Sequence, residues 1–248
     1  MPADEQPIPS VWTRPRRRER PALSREQIVA EAVQLLDTEG IEDLSMRRLG
    51  GRLDAGATSL YRHVANKDEL IELVVDEVYG EIEVPSADDP AGWRASVTVC
   101  ADSLRAMILR HPWIASLLGE VGLSYLGPNV MRLNDRMLAL FEAADFPLDE
   151  ADKAISTVSA YVIGTAISEA AWLTMVSRSG ETEQGWSERL RPAVEEAAQD
   201  YPRLRETFTG SAGQDLHRRR EENFHYGLER ILDGFHVHHG REEQPREP

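Results

Sequence analysis

One cysteine, Cys100, in 248 residues excludes an internal disulfide framework. Aromatic residues make up 6% of the chain against 41% hydrophobic residues in all, so any core must be mainly aliphatic. No apolar run reads as long enough to span a bilayer. The N-terminus is polar, basic and Pro-rich, without the apolar stretch of a signal peptide. These absences point to the cytoplasm. No glycine-rich phosphate loop is present. The stretch Gly122-Leu123-Ser124-Tyr125-Leu126-Gly127 has one residue too many for a nucleophile elbow, and no strand precedes it. His236, His238 and His239 have no cysteine nearby and read as a solvated tail rather than a metal site. His111 reads as the cap of a helix end. No set of residues makes an enzyme, so no catalytic residue, metal ligand or cofactor is expected. No segment alternates like a strand, and the turns are marked by Pro or Gly. The expected fold class is all-α.

Positive charge is also scarce. The net charge is −15, which taken alone argues against a nucleic-acid partner. Its distribution answers that objection. From Trp12 to Asn66, ten arginines face eight acidic residues, whereas the acidic excess lies almost wholly after Asn66. Only a mildly basic head can approach a polyanion, because the acidic body would repel it. Residues 1–22 carry five prolines and the cluster Arg14, Arg16, Arg17, Arg18 and Arg20, and read as a disordered arm. Two readings of the arm stand: it follows DNA phosphates or enters a minor groove, or it is a solubilising tail.

The informative stretch is 44–70, LSMRRLGGRLDAGATSLYRHVANKDEL. Met46, Leu49 and Leu53 recur at helical spacing, with Arg47, Arg48 and Arg52 between them and Ser45 as N-cap. Asp54-Ala55-Gly56 has room only for a turn. A second helix is expected over Ala57–Val64. Asn66 then caps a third, with Glu69 in capping-box position. Two short helices across a three-residue turn are a helix-turn-helix, whose second helix enters the major groove. That helix has little to bury beyond Leu60 and Val64. Thr58, Ser59, Tyr61, Arg62 and His63 are suited instead to phosphates and base edges. Before it, Ser24 and Gln27 form a capping box for a helix with Ile28, Val29, Ala32, Val33, Leu35 and Leu36 on its apolar face, ended by Gly40.

Leu60-Tyr61-Arg62-His63-Val64 followed by Asn66-Lys67 resembles the DNA-binding domain of the TetR family of repressors, from about Ser24 to Glu81. The resemblance implies that Arg47 reaches a base from the first helix of the motif. Ala57, Thr58, Ser59 and Arg62 would face the groove, and Tyr61, His63 and Lys67 would hold phosphates. Two positions depart from the family pattern: Asp54 stands where Gly is usual in the turn, and Gly56 where Ser or Thr often caps. Asp tolerates the left-handed conformation better than most residues, and Gly is an acceptable cap.

The body is expected to be helical throughout. A connecting helix runs from Lys67 to about Glu81, with an apolar stripe reaching Ile82. Later helices are expected from Asp89-Pro90 to Arg110, at Pro112, from Pro128 and from about Leu148 to Arg178. A loop is expected at 179–186, a helix at 187–200 and a last helix from about Gln214 to Phe235. The body resembles the tetracycline-repressor type of C-terminal domain, through Trp93 and Ala160-Tyr161-Val162-Ile163-Gly164. The polar tetracycline contacts are not reproduced, and no match is found for the metal-binding histidine of those repressors. Trp93, Cys100, Leu104, Met107, Trp113, Met131 and Trp172 are the expected lining of a mainly apolar cavity, though any one of them can simply be core. By the same resemblance, the long helix and the last helix pair with their copies in a four-helix bundle.

The expected organisation is therefore an arm (1–22), a helix-turn-helix domain (23–66), a connecting helix (67–84), a ligand-binding and dimerisation domain (85–239) and a disordered tail (240–248). The expected function is that of a homodimeric transcriptional regulator. Its partners would be a palindromic double-stranded operator and a small hydrophobic or aromatic effector, with no membrane. The alternative is a helix-turn-helix interaction module that binds protein and no specific DNA.

Overall fold

The computed structural model describes residues 23–119, 125–210 and 214–242, with the backbone alone at 209–210 and 236–242. The described residues contain helices and no strand. Helix α1 (Arg25–Glu39) is followed by a 3-10 turn, α2 (Met46–Arg52), α3 (Ala57–Leu60) and α4 (Lys67–Tyr79). The body comprises α5 (Gly92–Arg110), a 3-10 segment (Pro112–Ser116), α6 (Pro128–Glu142), α7 (Leu148–Ser179), α8 (Glu183–Ala197), α9 (Pro202–Gly210) and α10 (Leu216–Glu242).

The head is assembled by its caps. Ser24 Oγ accepts from Gln27 N, and Gln27 Oε1 accepts from Ser24 N, so both halves of the capping box form. Ser45 caps α2 through Arg48 N, and Asn66 caps α4 through Glu69 N. Asp54 adopts the left-handed conformation, with φ 48°. Gly50 is required where α2 meets the turn, because a Cβ there would lie 2.8 Å from the Ala55 carbonyl oxygen. Ile28, Leu35, Leu49, Leu60 and Val64 bury themselves together under this arrangement.

The second motif helix is shorter than its sequence suggests. Regular helix stops at Leu60 instead of Val64, and the chain closes in a turn with His63 N donating to Leu60 O. Arg25 Nε donates to the freed His63 carbonyl, which removes the need for another helical turn.

Head and body share one continuous apolar core, joined through α4. In the body, Trp93, Phe141 and Phe146 cluster with ring centroids 5.3–5.6 Å apart. Three boundaries differ from expectation. The loop after α7 spans only 180–182, because Gly180 turns left-handed and Thr182 caps α8 through Gly185 N. The polar α9 was not foreseen, and α10 continues past Phe235 to Glu242. Helix α7 also corrects the hydropathy reading: by length and composition it could cross a membrane, with 28% of its apolar window buried. Its exposed face carries small residues, Ala160, Gly164, Ser168 and Ala171.

Candidate DNA-reading surface and effector pocket

On α2 and α3 the cations divide into two groups. Arg48 is held by Glu39 and Asp43, and Arg52 by Glu31 and Glu39. Arg47, Arg62 and Lys67 are exposed and make no side-chain ion pair or hydrogen bond among the described residues. Tyr61 is 51% exposed beside them. Thr58 is exposed, and Ala57, Ser59 and His63 are half-buried at the same end of the head. The expected contact residues are thus gathered on one short segment, whose internal packing is done by Leu60 and Val64. Arg16, Arg17 and Arg18 lie outside the described residues.

Of the seven residues expected to line an effector cavity, Cys100, Leu104, Met107 and Trp113 are buried in the core and Trp93 packs against it. Trp93 packs on Phe141 and Phe146. Cys100, Leu104 and Met107 are buried on the core face of α5. Burial also pushes the Cys100 thiol up to about 12, so it behaves as a small apolar group. Met131 is 43% exposed, because the core face of α6 is taken by Val130, Met137, Leu140 and Phe141. Trp113 and Trp172 do edge cavities, but two different ones.

Trp172 lines a cavity of about 430 Å³ between α7 and α10, together with Tyr161, Thr165, Glu169, Arg220 and Phe224. Its floor is a charge network. Glu169 accepts from Arg105 Nε at 2.8 Å, from Arg105 Nη2 at 3.0 Å and from Arg220 Nε at 2.9 Å. Arg105 also pairs with Glu221 at 2.8 Å, and its guanidinium lies 4.7 Å from the centre of the Phe224 ring. Burial works against the charge on Arg105, but its hydrogen bonds to Glu221 and Glu169 outweigh it and hold its pKa above the ordinary value. Glu183 completes the network, accepting from Trp172 Nε1 at 2.7 Å and from Arg220 Nη2 at 3.1 Å. The sequence did hint at this site: Arg105 and Glu169 fall at positions of α5 and α7 whose neighbours on the same face are apolar.

Two further clusters join head to body. Asp76, 9% exposed on α4, accepts from Asn129 N at 2.8 Å and Val130 N at 3.1 Å, and so caps the start of α6. Asn129 returns the contact, donating from Nδ2 to the Asp76 carbonyl at 3.0 Å. Gly127 makes room for this latch, since a Cβ there would overlap the Asp76 carboxylate. His111 does end α5 as expected, but it is also 3% exposed and bridges two carboxylates. Its Nδ1 lies 2.6 Å from Asp37 Oδ1 on α1 and its Nε2 3.2 Å from Glu81 Oε1. Trp113 Nε1 donates to the same Asp37 oxygen at 2.7 Å. No group of His, Cys, Asp and Glu suited to a metal occurs among the described residues. Residues 122–124 of the elbow-like stretch, the tail at 243–248 and the side chains of His236, His238 and His239 fall outside them.

Comparison with known proteins agrees across the chain. Residues 28–74 match the model of bacterial regulatory proteins of the tetR family, and residues 85–238 match the tetracyclin repressor-like C-terminal domain. A helix-turn-helix-type transcriptional regulator of Saccharopolyspora erythraea is 36% identical over 206 residues, covering 82% of this chain and 84% of that protein. The transcriptional repressor DrrR1 of Streptomyces coeruleorubidus is 34% identical over 226 residues, covering 90% and 81%. Among solved structures, apo ActR of Streptomyces coelicolor superposes with a TM-score of 0.71 at 30% identity, covering 89% of this chain and 98% of that one. ActR in complex with actinorhodin gives 0.68 at 32% identity, covering 87% and 97%.

Proposed function

The chain belongs to the tetR family of bacterial regulatory proteins, and from that premise we propose a homodimeric repressor whose head reads a palindromic operator and whose body releases it on binding a flat, mainly apolar effector. Membership makes it a DNA-binding, ligand-responsive transcriptional regulator. Its relatives are regulators, not enzymes. It works in the cytoplasm, where an operator is accessible.

The observation that carries the reading is the division of cations on α2 and α3. Arginines that the fold needs are paired, while Arg47, Arg62 and Lys67 are left free beside an exposed Tyr61. Residues 23–66 are the reading head, 67–84 the connector and 85–239 the sensing and pairing body. The exposed small residues of α7 outside the α7–α10 cavity, Ala160 and Ala171, support pairing with a second copy through α7 and α10, because small side chains let helices approach closely. The aromatic walls of Tyr161, Trp172 and Phe224, above the Glu169–Arg220 edge, suit a flat effector with a few hydrogen-bonding groups. Effector binding against α7 and α10 would be felt by α5, through Glu169 and Arg105, and by α6, which packs on α7, and the His111 bridge and the Asp76 latch would carry that movement to α1 and α4. Half-sites one helical turn apart, about 34–36 Å, would then no longer be met by both heads.

The test is selection of DNA from a random pool by the purified full chain, followed by sedimentation of protein with the selected duplex. The expected result is a palindrome bound by two chains, with affinity that falls as salt rises. Failure to enrich any sequence would overturn the reading in favour of a protein-binding module.

A further inference from the structure

A second hollow, of about 600 Å³, lies where head meets body and is separate from the α7–α10 cavity. Leu36 and Ile41 on the head side face Leu109, Trp113 and Leu173 on the body side, with Arg178 at the rim. It adjoins a smaller hollow of about 430 Å³, and the two share Pro112, Ala170, Thr174 and Arg178. The Trp113 ring is a fixed wall, because its Nε1 is bound to Asp37 and the residue is 6% exposed.

The charges here are unevenly satisfied. Asp37 is engaged by His111 and Trp113, and Glu39 by Arg48 and Arg52. Arg178, exposed at the edge of both hollows, has no ion pair or hydrogen bond from its side chain among the described residues. The lining mixes the apolar walls with Thr38, Thr174 and Ser177, and with its two carboxylates already engaged the one uncompensated guanidinium complements a molecule with an apolar body and a single anionic group.

We propose that this cleft is a second ligand site, for small apolar monoanions such as aryl carboxylates or sulfonates, and that its occupancy is linked to the position of the head. The linkage follows from construction. The walls come from α1 and its following turn on one side and from α7 and the Pro112 segment on the other, so affinity depends on how the two are placed. This site is independent of the effector cavity proposed above, which shares none of its lining residues.

The experiment uses the full chain and a matched pair of probes, naphthalene-1-sulfonate and 1-naphthylmethylammonium, measured by calorimetry. The sulfonate should bind at least about tenfold more tightly than the ammonium, and Arg178→Glu should weaken it by a similar factor. Thr174→Trp, which fills the cleft without altering charge, should also abolish sulfonate binding. Trp172→Ala, in the other cavity, should leave it unchanged. Sulfonate affinity should differ severalfold between free and operator-bound protein. Preference for the ammonium, or wild-type sulfonate binding in Arg178→Glu and Thr174→Trp, would overturn the site. Equal sulfonate affinity with and without operator would overturn the linkage. Loss of binding in Trp172→Ala alone would reassign the probe to the effector cavity.

Discussion

The head leaves Arg47, Arg62 and Lys67 in solvent with no acidic partner among the described residues, whereas the body encloses Arg105 between Glu169 and Glu221. The side chains of Arg105 and Glu169 are 6% and 8% exposed, and losing either would leave the other buried with one partner, Glu221 or Arg220. The head's free cations add nothing to its fold, since Leu49, Leu60 and Val64 pack without them. Charge that is spare in the folded state is available to an outside partner. Charge that is spent inside sets the shape of a cavity instead.

The largest way to break this contrast is in the body. Glu169→Ala should destabilise the fold by up to about 3–5 kcal/mol, because buried Arg105 would keep only the part-exposed Glu221 as its partner. Urea unfolding checks this, and the pair replacement Arg105→Met with Glu169→Leu should recover most of the loss. A similar loss from Arg62→Ala would remove the distinction between spare and spent charge.

The latch comes next. Asp76→Ala should cost about 1–3 kcal/mol, because two backbone donors at the start of α6 lose their acceptor. The same variant should blunt release of the operator by effector while leaving operator affinity without effector nearly intact. A variant with full release would show that α4 and α6 are not coupled through this carboxylate.

Smaller effects are expected from phosphate contacts. Tyr61→Phe and Lys67→Ala should each weaken binding by a few tenths to about 1 kcal/mol on every sequence alike, since phosphate contacts position without specifying. Anisotropy titrations on the operator and on a scrambled duplex check this, and sequence-dependent losses would reassign these side chains to base contacts.

The smallest effect is on pH dependence. Burial opposes the charge on His225, but the Glu221 carbonyl and the Asp102 carboxylate outweigh it and raise its pKa above 6.5. A raised folded pKa means its stabilisation is complete below the unfolded value and is lost as pH rises through the folded one. Stability should therefore decline slightly across neutral pH, and His225→Gln should flatten that decline. A decline of equal size in the variant would remove His225 as its source.

How much of this was legible in the sequence differs between the two regions. In the head, the caps Ser24, Ser45 and Asn66 and the left-handed Asp54 act through local hydrogen bonds or backbone geometry, which neighbouring residues specify. The motif could therefore be read directly. The early end of α3 was hidden, because it depends on Arg25 reaching His63, 38 residues away. In the body the helices were readable from periodicity, but the cavity was not. Trp and Met were natural guesses for an apolar lining, yet Trp93 and Met107 were needed in the core. The charged residues that shape the cavity lie on four different helices, α5, α7, α8 and α10. Ala166 on α7 and Leu228 on α10 are buried within the single chain. A test of pairing belongs on exposed Ala160 or Ala171 instead.

The central claim is that free cations read DNA and paired ones do not. The direct measurement is the affinity of Arg47→Ala and Arg48→Ala for a complete set of single-base-pair variants of the selected operator. Arg47→Ala should lose discrimination at one base pair in each half-site, by about 1–3 kcal/mol, with the other positions unchanged. Arg48→Ala should keep the wild-type profile. An equal loss at every position for Arg47→Ala, or a lost base preference for Arg48→Ala, would contradict the account.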